Sequence, residues 1–288
     1  MTKQEITTMT TNQITEKLLT VRLSISSYLG RSRANGAEQE VEAAHAAASG
    51  SVSVRVSYLP KKYAAPIQRT TSMIRAAFYE NTLPWEDGGL RVVPADKYFK
   101  LKDEVDTIVN KFWETAVRDI LDNYDEVKED ARVRLGSLYD PQRMPTKYEL
   151  EDRYAVSIQT GTITSVDDAR VVGLGDQDMT ILKAEMDERY STQIEGAVNS
   201  VLCEMSDLAI DITQRLSKDP KGVKYKSLLD RLSRLIKSVP SLNITDDIRL
   251  SKSSELLHAA AEGITAKDLR DDPKARTVLV KAAEKVIK

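Results

Sequence analysis

Two long runs of apolar residues at helical spacing constrain this chain more than any other feature. Each run has an apolar residue at every third or fourth position, and in the first run lysine, aspartate and glutamate fill most of the positions between. This is the pattern of an amphipathic helix, so two long helices are predicted. The first run consists of Leu101, Val105, Ile108, Phe112, Ala116, Ile120, Tyr124, Val127 and Ala131, and the second of Met179, Leu182, Met186, Tyr190, Ile194, Val198, Leu202, Met205, Leu208, Ile212 and Leu216.

The ends of both helices can be predicted from residues that stop a helix. The first should begin near Asp96 and end at Gly136, a length of about forty residues or about 60 Å. The second should lie between residues 176 and 218, because Pro220 follows Asp219 there. A helix of this length needs a long partner to cover its apolar stripe. The simplest arrangement pairs the two as an antiparallel, coiled-coil-like hairpin.

Alternating apolar and polar residues predict strands in the N-terminal region. Residues 19–25 alternate in this way, and so do Val52, Val54 and Val56. We expect these two strands to form an antiparallel pair, joined by a loop and a short alanine-rich helix. Downstream, LRVVP is a short extended segment, and Trp85 is expected to anchor the preceding turn in the core. The adjacent Glu86 and Asp87 would cap that turn, or alternatively belong to a catalytic or metal-binding loop.

The expected fold class is mainly α with a small β element (α+β). It combines an elongated pair of long helices with a small strand-helix module and a cluster of short C-terminal helices. In that cluster, Pro240 should end the first helix, and Ser253 and Thr265 are N-cap candidates for later ones. The predicted domains are a flexible tail (1–17), the strand-helix module with a basic loop (18–95), the helical hairpin (96–219) and a basic helical region (220–288). The hairpin has a cap at 137–175, and this cap includes possible strands at 155–163 and 169–172.

Residue usage limits the chemistry that we expect. The 288-residue chain is 41% hydrophobic, contains one cysteine and two histidines, and has no HExxH sequence. We therefore expect no metal site and no cofactor, and we interpret Cys203 as a buried structural thiol in preference to a reactive one. No apolar run approaches the roughly 18 residues that span a bilayer, and the N-terminus lacks the order of a signal peptide. A cytoplasmic protein is expected.

Charge is strongly segregated along the chain although the net charge is only −2. Residues 1–77 carry a net charge of +5, residues 78–219 carry −13, and residues 220–288 carry +6. Basic ends around an acidic middle favour contacts between the ends and the middle, within or between copies, or binding of an anionic partner at the ends.

The strongest candidate contact residues are basic. Arg31 and Arg33 lie in a loop between Gly30 and Gly36, and Lys61, Lys62, Arg69 and Arg75 continue the positive character into the following helix, predicted near residues 65–81. The candidate contact residues among them are Arg31, Arg33, Lys61, Lys62 and Arg69, which could bind phosphates or an acidic protein surface. Alternatively, the loop is simply solvated and flexible. It is not a P-loop, because no GKS or GKT sequence is present.

Several segments together resemble a known family. They are LTVRLSISSYLGR, the basic loop, SYLP before a helix, NTLPWEDGGLRVVPADKY and LGSLYDP. In this order they resemble a family of phage and prophage proteins known chiefly as a domain of unknown function (DUF3150-like). The resemblance covers about residues 18–160, and residues 37–49 depart from it in length and alanine content. It implies a phage-type accessory protein of the host-cell cytoplasm and supplies no catalytic residues.

Three functional hypotheses follow. The first is a non-enzymatic protein that contacts copies of itself, as a homo-oligomer, or another phage or host protein. The second is a binder of single-stranded or duplex nucleic acid that uses the five basic residues. The third is an enzyme with a carboxylate site formed by Glu80, Glu86, Asp87 and Asp96. We favour the first, with no membrane and no small-molecule substrate.

Overall fold

A computed structural model describes residues 10–169, 171, 173–217 and 224–287. The fold is mainly helical with a small antiparallel β component, which confirms the expected α+β class. Within the described residues, no helix combines the length and apolar character needed to cross a bilayer. The helices are α1 (Thr11–Thr15), α2 (Asn35–Ala44), α3 (Lys61–Glu80), α4 (Tyr98–Ile108), α5 (Glu114–Asp122), α6 (Tyr124–Leu135), α7 (Lys147–Glu151), α8 (Asp176–Leu216), α9 (Tyr225–Leu242), α10 (Ile248–Ala261), α11 (Ala266–Asp271) and α12 (Pro273–Ile287). The strands are β1 (Leu18–Ser26), β2 (Arg31–Arg33), β3 (Arg55–Ser57), β4 (Leu83–Glu86), β5 (Leu90–Pro94) and β6 (Ala155–Thr162).

Contacts divide the chain into two compact units, each built from separate stretches of sequence. Unit 1 comprises the described residues of Met1–Arg22, Phe78–Leu101 and Thr160–Lys288. Unit 2 comprises Leu23–Ala77 and Lys102–Gln159. The two predicted long helices are therefore assigned mainly to different units.

The core of unit 1 is organised around α8. This helix packs against α12, β4, α9 and α1, and from Tyr190 onward it buries a residue on nearly every turn. Met205, Leu208 and Ile212 are at most 1% exposed, and Trp85 of β4 contributes its ring to the same cluster. Trp85 lies 6.1 Å from the Tyr190 ring, which confirms its expected role as an anchor. The predicted hairpin is not shown, because the buried face of α8 is covered by elements of unit 1.

The first apolar run does not form one continuous helix, so that prediction was wrong. A π-helical segment, Val109–Trp113, separates α4 from α5. Asn123 then leaves the helical conformation, with φ −104° and ψ 21°, and separates α5 from α6. Its side chain donates a hydrogen bond of 2.8 Å to the Asp119 carbonyl, a local bond that competes with the regular helix. The predicted stop is confirmed, since α6 ends before Gly136, whose φ is +53°.

Strand pairing also differs from the expectation. The structure confirms β1, but β1 pairs antiparallel with β5, with Leu18 opposite Pro94, and not with the valine-rich strand. That strand is shorter than predicted, and as β3 it pairs with β2. The larger sheet has the order β4-β5-β1-β6. An alternating pattern identifies a half-buried strand, but it does not specify which neighbour supplies the hydrogen bonds.

The remaining predictions have mixed outcomes. Thr265 is an N-cap with a complete capping box, as expected, but Pro240 lies inside α9 and Asp247 rather than Ser253 caps α10. Cys203 is exposed, which corrects the expected buried thiol.

The possible strand at 169–172 and the predicted tail also differ from the expectation. Ala169 and residue 171 are outside any strand, and α1 lies within the predicted tail. Residues 1–9 of that tail, residues 170 and 172, the proposed helix stop at Asp219-Pro220 and Lys288 fall outside the described residues.

Hydrogen bonds from the hydroxyl groups of Tyr124, which is buried, and Tyr154, which is half-buried, connect several segments of unit 2. The Tyr154 hydroxyl donates to the Tyr28 carbonyl at 2.8 Å, and the Tyr124 hydroxyl donates to the Pro145 carbonyl at 2.6 Å. Burial is the main cause that raises the pKa values of the Tyr28, Tyr124 and Tyr154 hydroxyl groups above the usual value. Each hydroxyl therefore holds its proton more tightly in the folded protein than in the unfolded chain.

This linkage predicts loss of stability in alkali. Below about pH 10 both states keep these protons, whereas above it the unfolded chain loses them first, so the free energy of unfolding should fall as pH rises. Tyr154→Phe removes one of these protons, so the slope of the free energy of unfolding against pH should become shallower by the contribution of about one proton. Urea unfolding at several pH values between neutrality and alkali would measure it. Tyr148→Phe is the control, because Tyr148 is 77% exposed, and an equal change in both variants would contradict the linkage.

Candidate anion-binding surface

The two-stranded ribbon of β2 and β3 places three arginines on one face. Arg31 lies opposite Ser57 and Arg33 lies opposite Arg55, while Val56 is buried on the other face of the ribbon. Because successive side chains of a strand point to opposite faces, all three guanidinium groups project from the exposed side. Arg31 and Arg33 therefore lie on a strand, which corrects the prediction that they belong to a basic loop.

Sequence reasoning missed Arg55 as a member of this group. The signal was present, because Arg55 occupies a polar position between Val54 and Val56 in the alternating segment. Only the pairing with β2 brings it opposite Arg33. Like charges directly opposite each other on a sheet are unfavourable, which is a sign that this face is suited to an anionic partner.

Glycine and arginine contacts hold the ribbon in place. The Tyr58 amide donates to the Gly30 carbonyl at 2.7 Å immediately before β2, and Gly30 has a φ of +64°. The Arg143 guanidinium donates to the Ser32 hydroxyl at 2.6 Å from the segment after α6. The ribbon is thus supported from both its start and its side.

Two carboxylates of α2 support the segment that leads into β3. Glu42, which is 8% exposed, accepts a hydrogen bond of 2.7 Å from the Gly50 amide. Glu38 accepts from the Val54 amide at 3.1 Å and pairs with the Arg33 guanidinium at 3.1 Å. The hydrogen bond from Arg33 is the main cause that lowers the Glu38 pKa. Part of the positive charge of the ribbon is therefore already neutralised.

The outer face of α3 supplies a second row of cations. Lys61, Lys62, Arg69 and Arg75 are all exposed, and α3 contains no acidic residue before Glu80. The Lys62 ammonium lies 2.7 Å from a Glu126 carboxylate oxygen, and this contact is the main cause that raises the Lys62 pKa. The inward side of the helix is apolar, with Ile67 and Ile74 fully buried. Packing therefore fixes which side of α3 presents its charges.

We give the name basic surface to the exposed cations of two elements of unit 2, the β2–β3 ribbon and α3, which are joined by only three residues because β3 ends at Ser57 and α3 begins at Lys61. All five predicted contact residues belong to it, together with Arg75, and the structure adds Arg55. Among the residues that the structure describes, Arg33 and Lys62 form ion pairs and the other five members form none. The members are Arg31, Arg33 and Arg55 on the ribbon and Lys61, Lys62, Arg69 and Arg75 on α3.

Three of the four carboxylates of the enzymatic hypothesis have other polar partners, and Asp96 lies 2.7 Å from the Lys97 ammonium. Glu80 pairs with the Arg234 guanidinium at 2.6 Å, and Glu86 accepts a hydrogen bond of 3.0 Å from the Gln193 side chain. Within the described parts of the chain, no three histidine, cysteine, aspartate or glutamate side chains are grouped so that they could hold a metal ion.

The basic surface has a defined chemistry. Guanidinium groups bind carboxylate and phosphate oxygens through paired hydrogen bonds, and ammonium groups bind them as point charges.

Comparison of the chain with protein-family models, with curated proteins and with solved structures found no match.

Proposed function

We propose that this chain is a non-enzymatic, phage-type accessory protein that acts through protein–protein contacts or self-assembly. The observation that supports the proposal is the basic surface, on which five of seven cations lack an ion pair among the described residues. The chain also contains a stretch of opposite charge, since residues 78–219 carry a net charge of −13. Opposite charges across an interface favour encounter and select the partner more than they add affinity.

Self-association should depend strongly on salt. Exposed charges are screened beyond about 10 Å at 0.1 M ionic strength and beyond about 3 Å at 1 M, so association should weaken as salt is raised. Sedimentation velocity at low and high salt measures this directly. Arg31→Glu combined with Arg55→Glu should abolish the salt-sensitive species. Lys111→Glu is a suitable control, because Lys111 is exposed in unit 2 but lies outside the basic surface.

A monomer at every salt concentration that also captures no protein partner would contradict the proposal. Equal loss of association in the Arg31/Arg55 variant and in the Lys111 control would contradict the role of the basic surface. Circular dichroism of each variant shows that the fold is intact before these results are compared.

Nucleic-acid binding is the second candidate, and the arginine ribbon specifically favours it. A two-stranded antiparallel ribbon fits the major groove of duplex DNA, and outward arginines can contact phosphates or guanine. Fluorescence anisotropy with duplex and single-stranded oligonucleotides would test this idea. Removing two phosphate contacts with Arg31→Gln and Arg55→Gln should reduce the slope of log affinity against log salt by about 1.4–1.8. No binding at about 50 mM salt would exclude the candidate.

A further inference from the structure

The first half of α8 differs sharply from the second half. Between Asp176 and Arg189 no residue is buried, whereas from Tyr190 onward the helix is part of the unit 1 core. Ile181 is 52% exposed and Leu182 is half-buried in this first half. We call residues 176–189 the acidic arm.

Charge in the arm is predominantly negative. Its only cations are Lys183, whose ammonium donates to the Asp167 carbonyl at 2.8 Å, and Arg189, whose guanidinium lies 5.2 Å from the Tyr190 ring centre. Acidic residues in the first turn of a helix stabilise it through the helix dipole. That explanation does not extend to acidic residues beyond the first turn. The acidic residues of the arm are Asp176, Asp178, Glu185, Asp187 and Glu188.

One side of the arm combines negative charge with an exposed apolar side chain. Asp178, Ile181, Glu185 and Glu188 follow one another at intervals of three or four residues, so they lie along the same side of α8. Each of the four is exposed. A surface of this kind suits a partner that offers cations beside apolar contacts.

We infer that the acidic arm of one copy binds the basic surface of unit 2 in a second copy. This inference rests on the proposed function and names the partner of the same surface. The three carboxylates on that side of the arm, Asp178, Glu185 and Glu188, would meet the cations of the basic surface. Of these cations, Arg31, Arg55, Lys61, Arg69 and Arg75 have no ion pair among the described residues. Ile181 supplies apolar contact between the charges. Because the two surfaces differ, the contact is heterologous and can build rings or filaments.

Two charge-reversed variants test the inference. The first carries Arg31→Glu and Arg55→Glu on the basic surface, and the second carries Glu185→Lys and Glu188→Lys on the arm. Each variant alone should self-associate at least about tenfold more weakly than the unmodified protein at low salt. An equimolar mixture should form a heteromeric complex, because it still contains one unmodified arm and one unmodified basic surface. Sedimentation velocity with one variant fluorescently labelled measures this recovery.

The control reverses acidic residues elsewhere on α8. Glu195 and Asp207 are exposed but lie outside the arm, so Glu195→Lys with Asp207→Lys should leave association unchanged. If the basic-surface variant loses association while the arm variant keeps it, the inference is overturned and the proposed function stands. If the mixture stays monomeric while the unmodified protein assembles, the inference is likewise overturned. An unmodified protein that never assembles and captures no partner protein overturns both.

Discussion

Gly30→Ala is expected to lower the free energy of unfolding by about 2–6 kcal/mol. Gly30 has a φ of +64°, which side chains with a Cβ atom rarely adopt. A Cβ atom added here would lie 2.5 Å from the Leu59 amide nitrogen and 3.2 Å from the Tyr58 Cβ. The nearest atom belongs to the backbone, so the clash cannot be relieved by a change of side-chain rotamer.

Two other glycines provide matched controls in the same unit. Gly36 lies in α2 with open space around it, so Gly36→Ala should be neutral or stabilising by up to about 1 kcal/mol. Gly50 has a φ of +82° but no close neighbour, so Gly50→Ala should show only the conformational cost of about 1–2 kcal/mol. Urea unfolding of all three variants separates the steric cost from the conformational one. Equal stability of the Gly30 and Gly50 variants would contradict the close approach to Leu59.

Leu208→Ala is expected to destabilise the protein by about 2–5 kcal/mol. Leu208 is fully buried in the unit 1 cluster that joins α8 to α12, β4 and α9. Truncation removes buried methyl groups and leaves a cavity that the surrounding helices can fill only in part. Thermal and denaturant unfolding would measure the loss.

The neighbouring Ile210 gives a control on the same helix. Its side chain is 38% exposed, because two residues further along α8 the surface turns away from the core. Ile210→Ala should therefore change the free energy of unfolding by no more than about 0.5 kcal/mol. If the two variants were equally destabilised, the assignment of the covered side of α8 would be wrong.

The spacing of apolar residues predicted some features of the long helices and not others. The second apolar run corresponds to α8, and Gly136 ends α6 as expected. The π-helical segment was not predicted, and in it Trp113 is buried whereas Phe112, which was predicted to belong to the apolar stripe, is 42% exposed. The break at Asn123 was not predicted either, because the apolar spacing continues across it. A stripe records which side of a helix avoids water. It does not record which apolar surface covers that side.

In the basic surface, some residues could be identified from the sequence and others only from the folded chain. Arg31, Arg33, Lys61, Lys62 and Arg69 were identified from their density of positive charge, which is a property of the sequence alone. Arg55 joined them only through the register of β2 and β3. The engagement of Glu38 with Arg33 and of Glu126 with Lys62 likewise became visible only in the folded chain.

Local chemistry was sufficient to establish that this chain is mainly helical, to place most of its helices, and to locate its positive and negative stretches. These properties depend on interactions within a few residues, whose geometry is the same in every protein. The tertiary structure decided that α8 packs on α12 and β4, that β1 pairs with β5, and that β2 and β3 form the arginine ribbon. Many apolar faces and strand edges in one chain are nearly equivalent partners, and only the packing of the whole unit selects among them.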